Sequence, residues 1–174
     1  MMEKLAYDNG SVRLRSPEMS DVDVLYRLEN DESLWDVSCN NAPYSRHQLV
    51  KYIEESVHDL FAEHQVRFII EYQGNVAGCI DLTDIDAVQS HAMVGIAVLS
   101  EYRHKGIAGI ALGKVCDYAR DRLRIHQLAA MVPVCNVHSH RLFLSEGFSQ
   151  SGQLNDWMWT CNGYTDVLLL QKIF

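Results

Sequence analysis

Long apolar runs are absent from the 174 residues, and no stretch of about 18 consecutive apolar side chains offers a membrane-spanning helix. Proline is scarce: Pro17, Pro43 and Pro133 are the only three. There is no internal repeat, low-complexity segment or linker rich in Pro, Gly or Ser, so one domain over residues 1–174 is expected. The start, Met1-Met2-Glu3-Lys4, lacks a basic segment followed by an apolar one, which argues against a secretion signal. The five cysteines, Cys39, Cys79, Cys116, Cys135 and Cys161, are odd in number, widely spaced and free of any C-x-x-C pair. That pattern indicates neither a disulfide framework nor a zinc ribbon, and a reducing, cytoplasmic setting is the expectation. Basic residues are outnumbered, 15 Lys and Arg against 23 Asp and Glu. A net charge of -8 excludes a nucleic-acid binder that works by neutralising phosphates. His138 and His140, two apart on an expected helix, diverge, so no metal site is expected.

What is present points to a catalytic or binding domain with a sizeable core. The chain is 48% apolar and 22% charged, a balance that suits a globular fold burying roughly 70% of its unfolded surface. Charge is laid out unevenly. Residues 1–102 carry 7 basic against 18 acidic side chains, whereas residues 103–146 carry 7 against 3. Such a division suits a protein that holds an anion with its later segment and attracts a cation with its earlier one.

Periodicity supplies the elements. Val12-Arg13-Leu14-Arg15 alternates as a half-buried strand does, and Ser20 or Asp21 offers a cap for a helix through Glu29. Leu49, Tyr52, Ile53, Ser56, Val57 and Leu60 recur at helical spacing, so a second helix starts near Ser45. Val66–Tyr72 and Asn75–Leu82 flank Gln73-Gly74, a tight-hairpin signature. A strand over Ala92–Val98 precedes a helix whose face is Ile110, Leu112, Val115, Cys116 and Ala119. A strand over Leu128–Val134 then leads to a short helix capped by Asn136 and stopped by Gly147. The closing hairpin joins Asp156–Thr160 to Val167–Leu170 across Asn162-Gly163, with Trp157 and Trp159 on one face, where core or dimer packing is expected. Antiparallel strands followed by a strand–helix–strand unit give a mixed α/β (α+β) sheet.

The stretch Arg103-His104-Lys105-Gly106-Ile107-Ala108-Gly109 joins a strand pattern to a helix pattern. Its glycines let a ligand approach the backbone and leave amides at the helix start open. Those amides, the positive end of the helix dipole, Arg103 and Lys105 together form an anion cradle. Neither the phosphate loop of nucleotide hydrolases nor the dinucleotide-binding glycine pattern is present. Cys135 reads as a small buried strand residue, and Arg120, Arg122 and Arg124 read as a solvated helix end.

The segment Arg103 to Ala108 resembles the Q/R-x-x-G-x-G/A loop of the GNAT superfamily of acetyl-CoA-dependent N-acetyltransferases, on the branch of spermidine and ribosomal-protein N-acetyltransferases. A second family signature, N-x-x-S-x-x-L/Y followed by G-F, is matched by Asn136, Ser139, Leu142 and Gly147-Phe148. The resemblance implies a mostly antiparallel sheet of about six or seven strands, two of them parallel and splayed, with about four flanking helices. It implies acetyl-CoA as cosubstrate and no metal. The pyrophosphate would lie on Arg103, His104, Lys105, Gly106, Ile107, Ala108 and Gly109. The pantetheine arm would run along Ile96, Ala97 and Val98, with Asn136, Ser139 and Phe143 on its other side and Arg141 near an outer phosphate. The two strands would part at a bulge near Val98-Leu99 and Val132-Pro133.

Two family positions differ here. The residue aligned with the usual thiolate-protonating Tyr is Phe143, and the one aligned with the usual base-side Glu is Met93. Asn136, Ser139 and Asp81 remain as candidate catalytic groups. Glu32, Trp35, Tyr44 and Asp84 are candidate acceptor contacts, while the acidic pair that polyamine-acetylating relatives carry before Pro-Tyr is Asn40-Asn41. The expected reaction is acetyl transfer to a primary amine, of a polyamine-like molecule or a protein N-terminus, by direct attack in a ternary complex. The alternative is a catalytically degenerate acyl-CoA-binding sensor of the same fold. Expected partners are a small-molecule or peptide amine and further copies of the chain in a homodimer or larger homo-oligomer; no nucleic acid and no membrane is expected.

Overall fold

A computed structural model describes residues 12–35, 37, 42–55 and 64–174. Seven strands form one sheet: β1 (Val12–Arg15), β2 (Val66–Tyr72), β3 (Asn75–Asp86), β4 (His91–Val98), β5 (Gln127–Pro133), β6 (Ser149–Thr160) and β7 (Gly163–Ile173). Their spatial order is β1-β2-β3-β4-β5-β7-β6, and every pair is antiparallel except β4 with β5. Five helices accompany them among the described residues: α1 (Val22–Glu29), the single turn α2 (Glu32–Trp35), α3 (Arg46–Glu55), α4 (Ile107–Asp121) and α5 (Val137–Ser145). The expected mixed sheet with one parallel pair is therefore the observed architecture, with one more short helix than anticipated.

Local chemistry explains the boundaries. Gln73 and Gly74 both take positive φ (51° and 79°), as a two-residue hairpin turn between right-twisted strands requires. A reciprocal cap starts α3: Ser45 Oγ accepts the Gln48 N–H at 3.2 Å, and Gln48 Oε1 accepts the Ser45 N–H at 2.8 Å. Asn136 caps α5, its Oδ1 accepting the Ser139 N–H at 3.1 Å. The continuation of α3 expected through Ser56, Val57 and Leu60 lies outside the described residues.

Alternation along the strands divides the core in two. Ile70, Ile80, Leu82, Val94, Leu128, Ala130 and Val132 pack with Leu112, Val115 and Ala119 of α4 on one face. On the other face, Ile69, Cys79 and Leu99 pack with Leu25 and Leu28 of α1 and Leu49 of α3. One sequence reading is corrected at the surface, and of another, the paired tryptophans, only the core alternative is excluded. Cys135 is exposed because it follows the last β5 residue and sits in the turn to α5. Trp157 and Trp159 are 60% and 66% exposed because β6 is the sheet edge, with no layer over that face of the hairpin among the described residues.

The first helix is tied to the sheet by a buried carboxylate. Asp21, 2% exposed, receives Arg15 Nη1 and Nη2 at 2.7 and 2.8 Å and the Glu18 N–H at 2.7 Å. Burial by itself would push this carboxyl up in pKa, but the bonds from Arg15 and Glu18 outweigh it and hold the group below the usual carboxylate range. A carboxyl depressed in the fold contributes stability above its unfolded pKa of about 3.9 and loses that contribution as pH falls through the folded value. Asp21→Asn is therefore expected to cost about 2–3 kcal/mol at neutral pH, or roughly 5–10 °C in Tm. Thermal melts at pH 7 and pH 2.5 check this: the gap between wild type and variant should close at the acid end.

Candidate active site

The geometry begins with a pairing that stops. β4 and β5 share three register pairs, His91–Gln127, Ala92–Leu128 and Met93–Ala129, and none beyond. Both strands continue, β4 held by β3 up to Val98–Gly78 and β5 held by β7 up to Pro133–Val167. No register shift marks the β4–β5 pair; the parting comes nearer the strand starts than the expected bulge. Leu99 donates its N–H to the Ala77 carbonyl at 2.9 Å. Because strand residues alternate, Ile96 and Val98 turn their backbone groups the other way, into the gap. On the β5 side Val134 donates to the Asp166 carbonyl at 3.0 Å, so Met131 and Pro133 face the gap. Proline there has no N–H to leave unpaired.

The cradle lies past the end of β4. A short 3₁₀ turn, Ser100–Tyr102, leads into a loop in which His104 and Gly106 take left-handed φ values of 60° and 74°. Gly106 is the N-cap of α4 and offers no side-chain cap. The first helical bond closes from the Ile110 N–H to the Gly106 carbonyl at 3.2 Å, so the amides of Ile107, Ala108 and Gly109 precede any helical partner. Ile107 sends its side chain into the core at 1% exposure while its amide stays in the first turn. This concave set of donors at a positive helix end suits a diphosphate.

Arg103 departs from its expected task. Its Nε donates to the Val98 carbonyl at 2.9 Å, and its Nη2 lies 4.0 Å from Asp31 Oδ2. The guanidinium thus takes up a carbonyl freed where the strands part and reaches the turn between α1 and α2. Lys105 rests its Nζ 5.2 Å from the Tyr102 ring centroid.

Helix α5 walls the gap from the β5 side. Asn136 spends Oδ1 on capping, leaving its amide hydrogens for other partners, and the Ser139 hydroxyl has no hydrogen bond among the described residues. Arg141 is exposed. The reading of Phe143 as a coenzyme contact is corrected. The ring is 2% exposed and meets Phe148 edge-on at 5.0 Å, inside the core, because its helix position faces the sheet.

On the opposite face of the sheet, Asp81 pairs in register with Gly95 and Thr83 with Met93. The side of Gly95 where a Cβ would stand is open, with nothing within 4 Å. Both oxygens of Asp81 are engaged by Arg67, through Nε at 2.9 Å and Nη2 at 2.7 Å, and Arg67 Nη1 reaches Glu29 at 2.5 Å. The expected base is thus one arm of a half-buried ion-pair network, with both of its oxygens already engaged. A cavity of about 220 Å³ opens beside it, lined by Tyr44, Gln48, Tyr52, Gln65, Arg67, Asp81 and Thr83 among others.

Of the expected acceptor contacts, Tyr44 lines this cavity, its backbone clamped by Asn30 through bonds of 2.9 and 3.0 Å. Glu32 is exposed at the start of α2, and Trp35 is half-buried with Nε1 unbonded among the described residues. Asp84, at φ 49° beside the bulge between Thr83 and Asp86, is exposed and outside the cavity lining. Asn40 and Asn41 lie outside the described residues. Arg67 was missed in the sequence. The signal was there: Arg67 shares a strand face with buried Ile69, and an arginine on a buried face needs a carboxylate partner.

Comparison with known proteins follows the same lines. The sequence profile of the acetyltransferase (GNAT) family matches residues 24–148. The chain is 28% identical over 144 residues to a spermidine N(1)-acetyltransferase of Escherichia coli K12, covering 83% of this chain and 76% of that one. Its fold superposes with a TM-score of 0.86 on the crystal structure of spermidine N-acetyltransferase from Vibrio cholerae in complex with CoA and spermine, at 24% identity, over 95% of this chain and 96% of that one. A dodecameric structure of the Vibrio enzyme gives 0.82 at 25% identity, over 95% of each chain.

Glutamate at position 106 would put bulk and negative charge into the cradle and force a side chain into left-handed backbone, which costs about 1–2 kcal/mol. Gly106→Glu should abolish binding of coenzyme A in calorimetry while leaving a cooperative melt lowered by only a few degrees. Unchanged affinity would mean that the anion sits elsewhere.

Proposed function

Because the chain belongs to the GNAT family of acetyltransferases and is an N-acetyltransferase, we propose that it moves an acetyl group from acetyl-CoA to a primary amine of a small, polyamine-like cation. The single observation that carries this reading is the open backbone edge of β4 ending on the uncapped start of α4. The pantetheine arm is peptide-like, and its amides can add to Ile96 and Val98 as a strand adds to a sheet edge. The diphosphate then falls on the amides of Ile107, Ala108 and Gly109. The coenzyme supplies a thioester, whose acyl carbon the amine attacks as the thiolate departs.

Each described group has a definite share in this reading. The Val98 N–H, aimed into the gap, is the donor for charge developing on the acyl oxygen, a contribution worth roughly 3–4 kcal/mol in other acyl-transfer enzymes. Ser139, one turn before Phe143 on α5, is the hydroxyl that can donate to the leaving sulfur, and the amide of Asn136 can hold the arm. A free thiol has a pKa near 8.5, so the thiolate leaves tolerably without a strong acid, and positioning supplies much of the rate. Asp81, with both oxygens turned to Arg67, adds negative charge to the cavity where a cationic amine would enter. Water must then carry the proton away.

The acceptor reading draws on the acidic first part of the chain, on the cavity beside Asp81, and on the polyamine named for the relatives. A homo-oligomer is consistent with the dodecameric relative and with the exposed aromatic edge at Trp157 and Trp159. A reducing, cytoplasmic setting draws on the cysteine pattern of the sequence.

Release of free thiol from acetyl-CoA, measured against a panel of diamines, polyamines and peptides, tests the assignment. Turnover is expected with polyamines, with kcat/KM rising as pH climbs from 7 towards 9, because an alkyl ammonium of pKa about 10.4 must lose a proton before it attacks. Turnover confined to peptides would move the acceptor class to protein N-termini. Tight coenzyme binding with no turnover across the panel would instead make the protein a sensor.

A further inference from the structure

His104 holds a left-handed backbone (φ 60°) inside the cradle loop, a conformation that non-glycine residues adopt at a cost and that histidine tolerates better than most. Its imidazole meets that of His138 edge-to-face, with ring centroids 5.6 Å apart. His138 is the second residue of α5, so the contact joins the loop before α4 to the first turn of α5. Both side chains are exposed. The other loop cations are employed elsewhere, Arg103 at the Val98 carbonyl and Lys105 over Tyr102.

We propose that His104 and His138 form a proton-dependent clamp on a phosphate of the coenzyme, an inference that rests on the reading of residues 103–109 as the coenzyme cradle. Two neutral imidazoles can pack edge-to-face as observed, whereas two imidazolium ions at this separation repel. A phosphate dianion seated against the pair reverses that repulsion, so binding and protonation promote one another.

Around the pair, charges are mostly basic. The loop contributes Arg103 and Lys105, and α5 contributes His140 and Arg141. The 3₁₀ turn contributes Glu101, which Arg27 binds at 2.9 Å, and the turn between α1 and α2 contributes Asp31, directed to Arg103. No carboxylate among the described residues is bonded to either imidazole, so a bound phosphate is the anion that the pair lacks.

Calorimetric titration with coenzyme A at pH 6.0 and 7.5, in two buffers of different ionisation enthalpy, counts the protons taken up on binding. Wild type should bind roughly five- to tenfold more tightly at pH 6.0 and take up about half a proton or more. His104→Asn, which keeps a residue suited to left-handed backbone, and His138→Gln should each shrink the pH dependence, and the double variant should bind with nearly the same Kd at both pH values. Dephospho-coenzyme A, which lacks the ribose phosphate, locates the contact. Retained proton uptake assigns it to the diphosphate, and lost uptake assigns it to the ribose phosphate. Wild-type binding that is independent of pH, or proton uptake that persists in the double variant, overturns the clamp alone. Absence of any binding at either pH overturns the cradle reading and the clamp with it.

Discussion

The parting of two parallel strands after a three-residue pairing is the constraint on which the rest of this structure depends. Backbone groups removed from a ladder normally carry a penalty of about 1–3 kcal/mol each when buried and unpaired. Here that penalty is limited by the residues at the gap. Pro133 has no N–H to lose, and the Val98 carbonyl receives the Arg103 guanidinium. What remains, at Ile96, Val98 and Met131, is a short set of donors and acceptors matched to a peptide-like chain. The strands can diverge because each has a secure outer neighbour, β3 for β4 and β7 for β5, along its whole length. Gly78 tightens the first of these, since a Cβ there would stand 2.2 Å from the Ala97 carbonyl oxygen.

Much of this was legible in the sequence because it is local. The turn at Gln73-Gly74, the Asn136 cap and the glycine-bearing start of α4 are each decided within a few residues, by φ preference, side-chain capping and helix-end chemistry. So was the order of strands and helices, since period-two and period-3.6 patterns alternate cleanly. Less legible were the directions of long side chains, which depend on partners distant in the chain. Arg103 reads as an anion ligand until Val98 and Asp31 are seen beside it. Asp81 reads as a base until Arg67, fourteen residues earlier, claims both oxygens. Phe143 reads as a channel residue by alignment, but the helix rotation that buries it against Phe148 is a property of packing.

Buried and half-buried ion pairs do a particular job in this arrangement. Arg15–Asp21 ties the start of α1 to β1, and Arg67 ties its end, Glu29, to β2 and β3. Two weaker links, Arg27–Glu101 and Arg103–Asp31, join α1 and the following turn to the segment that precedes the cradle. The helical layer on the acceptor side is therefore fastened to the sheet by directional charge pairs as much as by Leu25, Leu28 and Leu49. Such pairs add little net stability against an apolar alternative, but they fix register. Register matters where a catalytic gap must keep its width.

The uneven charge of the sequence acquires a spatial meaning from this fold. The basic stretch from Arg103 onward supplies the loop and helix start at the open end of β4, while Asp23, Glu29, Asp31, Glu32 and Asp81 belong to the α1–α3 side of the sheet or to the strand face beneath it. Charges separated by more than about 8–10 Å are largely screened at physiological salt. In the proposed reaction an anionic donor approaches the basic loop and a cationic acceptor the acidic side, and Arg103 and Asp31, 4.0 Å apart, mark where the two regions meet. A uniform surface of either sign would attract one and repel the other. Carrying the two signs on different elements would let a polyanionic donor and a cationic acceptor of the proposed reaction reach the same few atoms without competing for the same charges.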